Sequence, residues 1–404
     1  MFQRFINVLS RHRFRIATAV FVVFVIGVLG IILAEEFGEQ SVGWDTLIYK
    51  EAAHDLTDQQ LLYERGAENP FYYTSLFAAL FRPLAELSDP AVVLVWFVLL
   101  IAAYLAQLWV WRLVIEHIKP EKSAAFWLWL VPFGLVSSDA IANLAFGNVI
   151  ALLGLAVALA ALGAVKRNPY WMGLAVAVIA ISKPQLLAFP LILALFAVLD
   201  RAWSFLVRAA LVAVVLVAIC TVIAVAMTSA DYVWDQLGEQ IEFLANSSSD
   251  YPYEEWLAWN SSVHQTVYRF PFLDSIATPL IAAVLLVWLA HFVTVVARAV
   301  RGGVRLATQP DIVLLLAFAA YIVGMFSNHV VNDLLLGATV WAYVRLFDDE
   351  TINGRRWTLV LFFAIVWVTP PATLFIGMLP FSLIAGGVLY WMAVRLVRQR
   401  LQTV

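Results

Sequence analysis

Charge is what this sequence has least of. Only 13% of its 404 residues are Asp, Glu, Lys or Arg, whereas soluble domains carry about 25%. Hydrophobic residues make up 63%, and the mean hydropathy is +0.87. A soluble globule of that composition could not clothe its surface in polar groups. The net charge of −3 leaves no electrostatic footprint for nucleic acid. The one cysteine, Cys220, rules out an internal disulfide, a cysteine-based zinc site and an iron–sulfur cluster. A Gly-rich phosphate loop is also missing, so no nucleotide site is expected. Without ATP at hand, group transfer would need a donor that arrives already activated. Low-complexity tracts and internal repeats are lacking, which weighs against an inverted-repeat transporter.

What is present is a long series of apolar runs. Residues 1–33 have the basic start of a signal peptide. They show no small-residue cleavage site, so they are read as a retained first helix. A bilayer crossing takes about 20 apolar residues. Twelve candidates follow: 14–34, 91–114, 123–141, 147–165, 170–182, 185–200, 207–229, 276–298, 310–327, 332–347, 357–372 and 375–396. The expected fold is all-α and polytopic, with about twelve transmembrane helices in one integral-membrane domain, 1–404. Twenty of the 25 Lys and Arg residues fall on one side of this arrangement. By the positive-inside rule that side is cytoplasmic and holds both termini. Two long polar segments then lie on the outer face of the cell membrane, 35–90 and 230–274. Within the first, the apolar stretch 72–87 is short and holds Arg82-Pro83, so it reads as an interfacial or re-entrant helix.

Ionisable groups at or near the membrane are functional candidates, and four places qualify. Asp45, in Trp44-Asp45-x-x-x-Tyr49, either caps a short helix or acts as a general base at the water–lipid boundary. Lys183, in Ser182-Lys183-Pro184, either snorkels to the interface or binds the phosphate of a lipid head group. Pro184 favours the second reading, because the residue before proline leaves the helix and frees backbone groups. His329, in Ser327-Asn328-His329, could share a helix face with Asp333 and bind a phosphate oxygen, move a proton or cap the next helix. The fourth is the second outer segment, from Asn260 to Arg269. Its Trp and Tyr residues are either an interfacial belt or a stacking surface for sugar rings. Asn246 and Asn260 open glycosylation sequons.

Taken in order, these motifs resemble a known family. They are Asp45-x-x-x-Tyr49, Tyr72-Tyr73 through Pro83-Leu84, Phe146-Gly147-Asn148, Lys166-Arg167, Ile181-Ser182-Lys183-Pro184, Asn260-x-Ser262 with Arg269, and Ser327-x-His329. The chain resembles GT87, integral-membrane glycosyltransferases of the GT-C fold that include mannosyltransferases and arabinofuranosyltransferases. It departs from the family pattern at Tyr73-Thr74-Ser75, where Tyr-Pro-Pro is usual, and at Gly147-Asn148, where Gly-Gln is usual. The resemblance implies an inverting enzyme that takes mannose or arabinofuranose from a polyprenyl-phosphate donor. The acceptor would be an outward-facing glycolipid or polysaccharide. It makes Asp45 the base, and Lys183 and His329 the holders of the donor phosphate. Tyr49, Asn148, Asn260 and Arg269 would bind substrate, with no metal and no cofactor required.

The principal rival is a secondary transporter or flippase of lipid-linked sugars. It accounts for the hydropathy and for Lys183. It does not account for polar and aromatic residues crowding one face. A ligase of lipid-linked glycans and a non-catalytic scaffold are further alternatives.

Overall fold

The computed structural model describes residues 2–34, 41–63, 71–250, 271–304, 309–324, 332–347 and 381–402, with a few single positions between them. Among these residues there are helices and no strands. They are α1 (Phe2–Ala34), α2 (Trp44–Thr57), α3 (Ser75–Ala85), α4 (Asp89–Ile118), α5 (Pro120–Val136), α6 (Ser138–Phe146), α7 (Ile150–Lys166) and α8 (Pro169–Ser182). A 3₁₀ turn (Pro184–Leu187) leads to α9 (Ala188–Leu199), α10 (Trp203–Met227), α11 (Ala230–Asp250), α12 (Ala277–Arg301), α13 (Pro310–Gly324), α14 (Asn332–Phe347) and α15 (Phe381–Leu401).

The long helices show why this composition suits lipid. The apolar stretch of α1, α4, α10 and α12 is long enough to cross a bilayer. Pro120–Val136 and Ala140–Phe146 add a fifth span if their 46° bend is one broken crossing. α10 turns Val207, Leu211, Val214, Val215, Ile219 and Val222 outward. A face that apolar along 25 residues is a surface for lipid tails, not for water. Six further apolar helices run only 10–17 residues, among them α3, α7, α8 and α9. The expectation of an all-α membrane protein is thus met, with four or five candidate crossings among the described residues. α7, α8 and α9 fall on the expected runs 147–165, 170–182 and 185–200, and the chain breaks between them at Arg167-Asn168 and at Lys183-Pro184.

α4 and α7 form the centre. α7 is built of small residues, with Ala151, Gly154, Ala158, Ala160 and Ala161 all buried. Small side chains let helix backbones approach closely where no water drives association, and α7 packs closely on both α4 and α8. The two ends of α4 differ in character. At its start, Lys50 of α2 donates to Asp89 Oδ1 (2.6 Å) and to the Leu87 carbonyl (2.8 Å). Towards its other end, Arg112 lies over Trp109 and over Trp127 of α5. Beside them Arg13 of α1 donates to the Leu128 carbonyl (2.8 Å) and lies over Trp129. A 30-residue helix is about 45 Å long, so α2 and this Arg–Trp cluster sit at opposite ends of the bundle.

The segment 35–90 is more structured than a loop, since it contains α2 and α3. α3 buries Phe77, Ala78, Ala79 and Phe81 and packs against α2, α8 and α10. Its eleven residues rise only about 16 Å, too little to cross. The segment 230–274 opens with α11. That helix touches the first segment directly: the Tyr232 hydroxyl donates to the Gln60 carbonyl (2.5 Å), and Gln236 Oε1 accepts from the Leu62 amide (3.1 Å).

Candidate active site

Asp45 is placed by two glycines. The Gly43 amide donates to the Ala145 carbonyl (2.8 Å), pinning the start of α2 to the end of α6. Gly43 itself takes the cap position of α2, with φ 79°. Asp45 lies two residues further in, within the first turn, so its carboxylate is not the cap. Instead its Oδ2 accepts from Asn148 Nδ2 at 2.7 Å.

Asn148 owes its position to Gly147, which ends α6 in the left-handed conformation at φ 77°. The turn is closed by the Asn148 amide donating to the Asn143 carbonyl (2.8 Å), and Trp96 Nε1 donates to the Gly147 carbonyl (2.8 Å). The Asn148 side chain is oriented by both of its ends. Its Oδ1 accepts the Ile150 amide at the start of α7 (3.1 Å), which turns its NH₂ toward Asp45. A Cβ on Gly147 would run into the Thr46 hydroxyl, next to Asp45. Gly147→Ala is therefore expected to lower stability by about 1–2 kcal/mol through its backbone alone. A thermal melt of the variant in detergent checks this. Displacement of Asn148 should lower activity beyond the stability loss.

Tyr49, one turn along α2, is fully buried. Its ring meets Tyr73, Phe77, Phe81 and Trp96 edge-on, with centroids 5.0–6.1 Å apart. Its hydroxyl accepts the Val149 amide (3.2 Å) and donates to the Tyr73 hydroxyl (3.0 Å). Both of those bonds stay within the protein.

Lys183 enters from the far side. α8 stops at Ser182, and Lys183 leaves the helix at φ −139°, ψ 79° before Pro184. The carbonyls freed by that break are taken by Thr74, whose hydroxyl donates to Ile181 and whose amide donates to Ser182 (3.3 Å). The same hydroxyl caps α3 by accepting from the Phe77 amide (3.2 Å). One threonine thus ties the start of α3 to the end of α8. This brings the Tyr73 ring beneath the Lys183 ammonium, 5.4 Å from Nζ to the ring centre. Among the described residues, no carboxylate lies within ion-pair distance of Lys183.

The charges respond to this enclosure. Burial pushes the Asp45 carboxyl up to about 6; the Asn148 hydrogen bond and then the Lys183 charge pull it partly back. Burial likewise raises the Tyr73 hydroxyl well above its ordinary value, and nearby Asp45 adds to the rise. At neutral pH the cluster therefore holds one ionised carboxylate and protonated tyrosines, while burial lowers the pKa of the Lys183 ammonium and the Asp45 charge partly restores it. No group of three His, Cys, Asp or Glu side chains that could hold a metal ion occurs among the described residues.

Of the residues singled out from sequence, Asp45, Tyr49, Asn148 and Lys183 come together. His329, Asn260 and Arg269 lie outside the described residues. Tyr73 and Thr74 were not singled out as site residues, although both stand in a motif. The available signal was position, since a Thr just ahead of an apolar helical run is a cap candidate.

A family model described as glycosyltransferase family 87 matches residues 71–315, more than half of the chain. The match takes in Tyr73, Asn148 and Lys183, and Asp45 precedes it. No curated protein matches the chain.

Proposed function

The chain belongs to glycosyltransferase family 87, and from that premise we propose that it transfers mannose or arabinofuranose from a polyprenyl-phosphate donor. The acceptor is an outward-facing glycolipid or glycan, and the configuration at the anomeric carbon inverts. The carrying observation is the convergence of one carboxylate and one ammonium that do not neutralise each other by contact. Asp45 and Lys183 come from distant parts of the chain, and each is held by its own neighbours.

In this reading Asn148 fixes Asp45 Oδ2, and Oδ1 faces the acceptor. The acceptor oxygen attacks the anomeric carbon while its proton passes to Asp45. The bond from that carbon to the phosphate oxygen breaks, and the electron pair leaves with the lipid phosphate. A phosphate departs as a stable anion, so one base suffices, in contrast to the two carboxyl groups of a glycosidase. Lys183 stabilises the charge as it develops. His329 joins Lys183 at the phosphate, and Asn260 and Arg269 contact substrate. A base with a pKa near 6 suits this role. It is ionised at neutral pH, yet it is a stronger proton acceptor than an ordinary aspartate.

We place the cluster on the outer face of the cell membrane and both termini in the cytoplasm, with 1–404 as one integral-membrane domain. The Arg–Trp cluster at the opposite end of α4 supports this orientation, because basic residues favour the cytoplasmic side. Segments 35–90 and 230–274 then form the acceptor side, a reading supported by the contacts of α11 with residues 60–62.

The test supplies purified protein with radiolabelled polyprenyl-phosphate mannose and arabinofuranose in parallel, and a membrane-lipid extract as acceptor. Label moving from carrier to a new glycolipid is expected. No transfer from either donor, with lipid or solute crossing reconstituted vesicles instead, would turn the reading over to a transporter.

A further inference from the structure

We propose that Tyr73 is a direct ligand of the donor, its hydroxyl proton donated to a phosphate oxygen beside Lys183. This rests on the donor reading above and adds to it a contact on which neither the family match nor the motif order bears.

The argument is a count of protons along one hydrogen-bond chain. The Val149 amide has a single proton, which goes to the Tyr49 oxygen (3.2 Å). The single hydroxyl proton of Tyr49 goes on to the Tyr73 oxygen (3.0 Å). The Tyr73 oxygen is thus the acceptor of that bond, and its own proton points elsewhere. Among the described residues it has no acceptor. Tyr73 is only 6% exposed, so bulk water is a poor substitute, and a buried donor without a partner is costly.

Three surroundings say what should take that proton. The Lys183 ammonium lies over the same ring, so an anion drawn to Lys183 comes within reach of Tyr73. The hydroxyl cannot ionise near neutral pH, so it serves as a donor throughout. The ring is clamped by Tyr49, Phe71 and Phe77, with centroids 5.0–5.6 Å away. The Tyr63 hydroxyl also bonds to the Tyr73 carbonyl (2.7 Å). A donor held this firmly loses little freedom on binding. The phosphodiester of the donor has two non-bridging oxygens, enough to engage both Lys183 and Tyr73, and the monoester that leaves has three.

This differs from the reading of Tyr49 as the substrate contact. Tyr49 has spent its proton inside the protein, and the free end of the chain is one tyrosine further along.

The test measures binding of geranylgeranyl phosphate, which carries no sugar, to full-length protein in detergent by isothermal titration calorimetry. Tyr73→Phe removes the hydroxyl and keeps the ring, and its melt without ligand reports on folding. About tenfold or greater weakening of the lipid phosphate in Tyr73→Phe is expected, in the range of a hydrogen bond to a charged group. Equal affinity in the two proteins would overturn this contact alone and send the free proton to a sugar hydroxyl instead. No binding by the wild type would overturn the donor reading and this contact together. If Tyr73→Phe does not fold, Tyr73→His, which keeps a ring N–H donor, is compared with wild type. Affinity within a few-fold is expected, and a tenfold loss in folded Tyr73→His protein would overturn the proposal.

Discussion

Asp45→Asn is expected to reduce sugar transfer by at least about 100-fold, the lower end of what a positioned general base contributes. The substitution suits the purpose because it keeps the local geometry. An asparagine oxygen can still accept from Asn148 Nδ2, so the bridge between α2 and the α6–α7 turn survives. Donor affinity should stay within a few-fold of wild type. Turnover that also stays within a few-fold would remove Asp45 from the role of base.

The wild-type pH profile is a second reading of the same group. Activity should fall as pH drops through about 6, where Asp45 takes up its proton. An ordinary aspartate would give that fall near pH 4. The sign for stability is the opposite. A carboxyl whose pKa rises on folding favours the fold while it is protonated, and that contribution is lost as pH rises through about 6. At pH 7.5 Asp45→Asn should therefore melt no lower than wild type. A variant that loses activity and gains thermal stability is the signature of a functional residue rather than a structural one.

Part of the candidate cluster was legible in the sequence, and the reason is physical. Asp45, Asn148 and Lys183 stand out because polar groups are rare in such a chain and each needs a partner. Tyr73 does not stand out: the chain has 13 tyrosines, and only the direction of the Tyr49 bond singles this one out. The Tyr49 hydroxyl that reveals it is itself held by the Val149 amide 100 residues away, which no local pattern reveals. The runs 147–165, 170–182 and 185–200 were legible for a related reason: the breaks at Arg167-Asn168 and Lys183-Pro184 divide this stretch into helices of 17, 14 and 12 residues. Arg167 is in the left-handed region at φ 51°, and Asn168 caps the next helix by accepting from the Tyr170 and Trp171 amides. These breaks are local, and the sequence shows them. The segment 230–250 was less legible. Its polar face made it read as loop, but Val233, Gln236, Gln240 and Phe243 recur at helical spacing on the buried face.

Lys183→Met is expected to weaken a polyprenyl-phosphate ligand by about 100-fold, the scale reached when a charged partner of a buried anion is removed. Methionine keeps much of the aliphatic stem, so packing above Tyr73 is largely retained. The competing view is that Lys183 merely snorkels to the interface. The two views also part on a measurement other than donor affinity. Lys183 helps keep the Asp45 carboxyl ionised, and it does so from a distance at which no direct ion pair forms. Removing its charge should shift the low-pH limb of the activity profile from about 6 toward higher pH. A lysine that had snorkelled away into water would be screened and would leave that limb in place. An unchanged affinity together with an unmoved limb would assign Lys183 to structure. A loss of affinity together with an upward shift would show one cation serving both halves of the reaction, binding the leaving group while tuning the base.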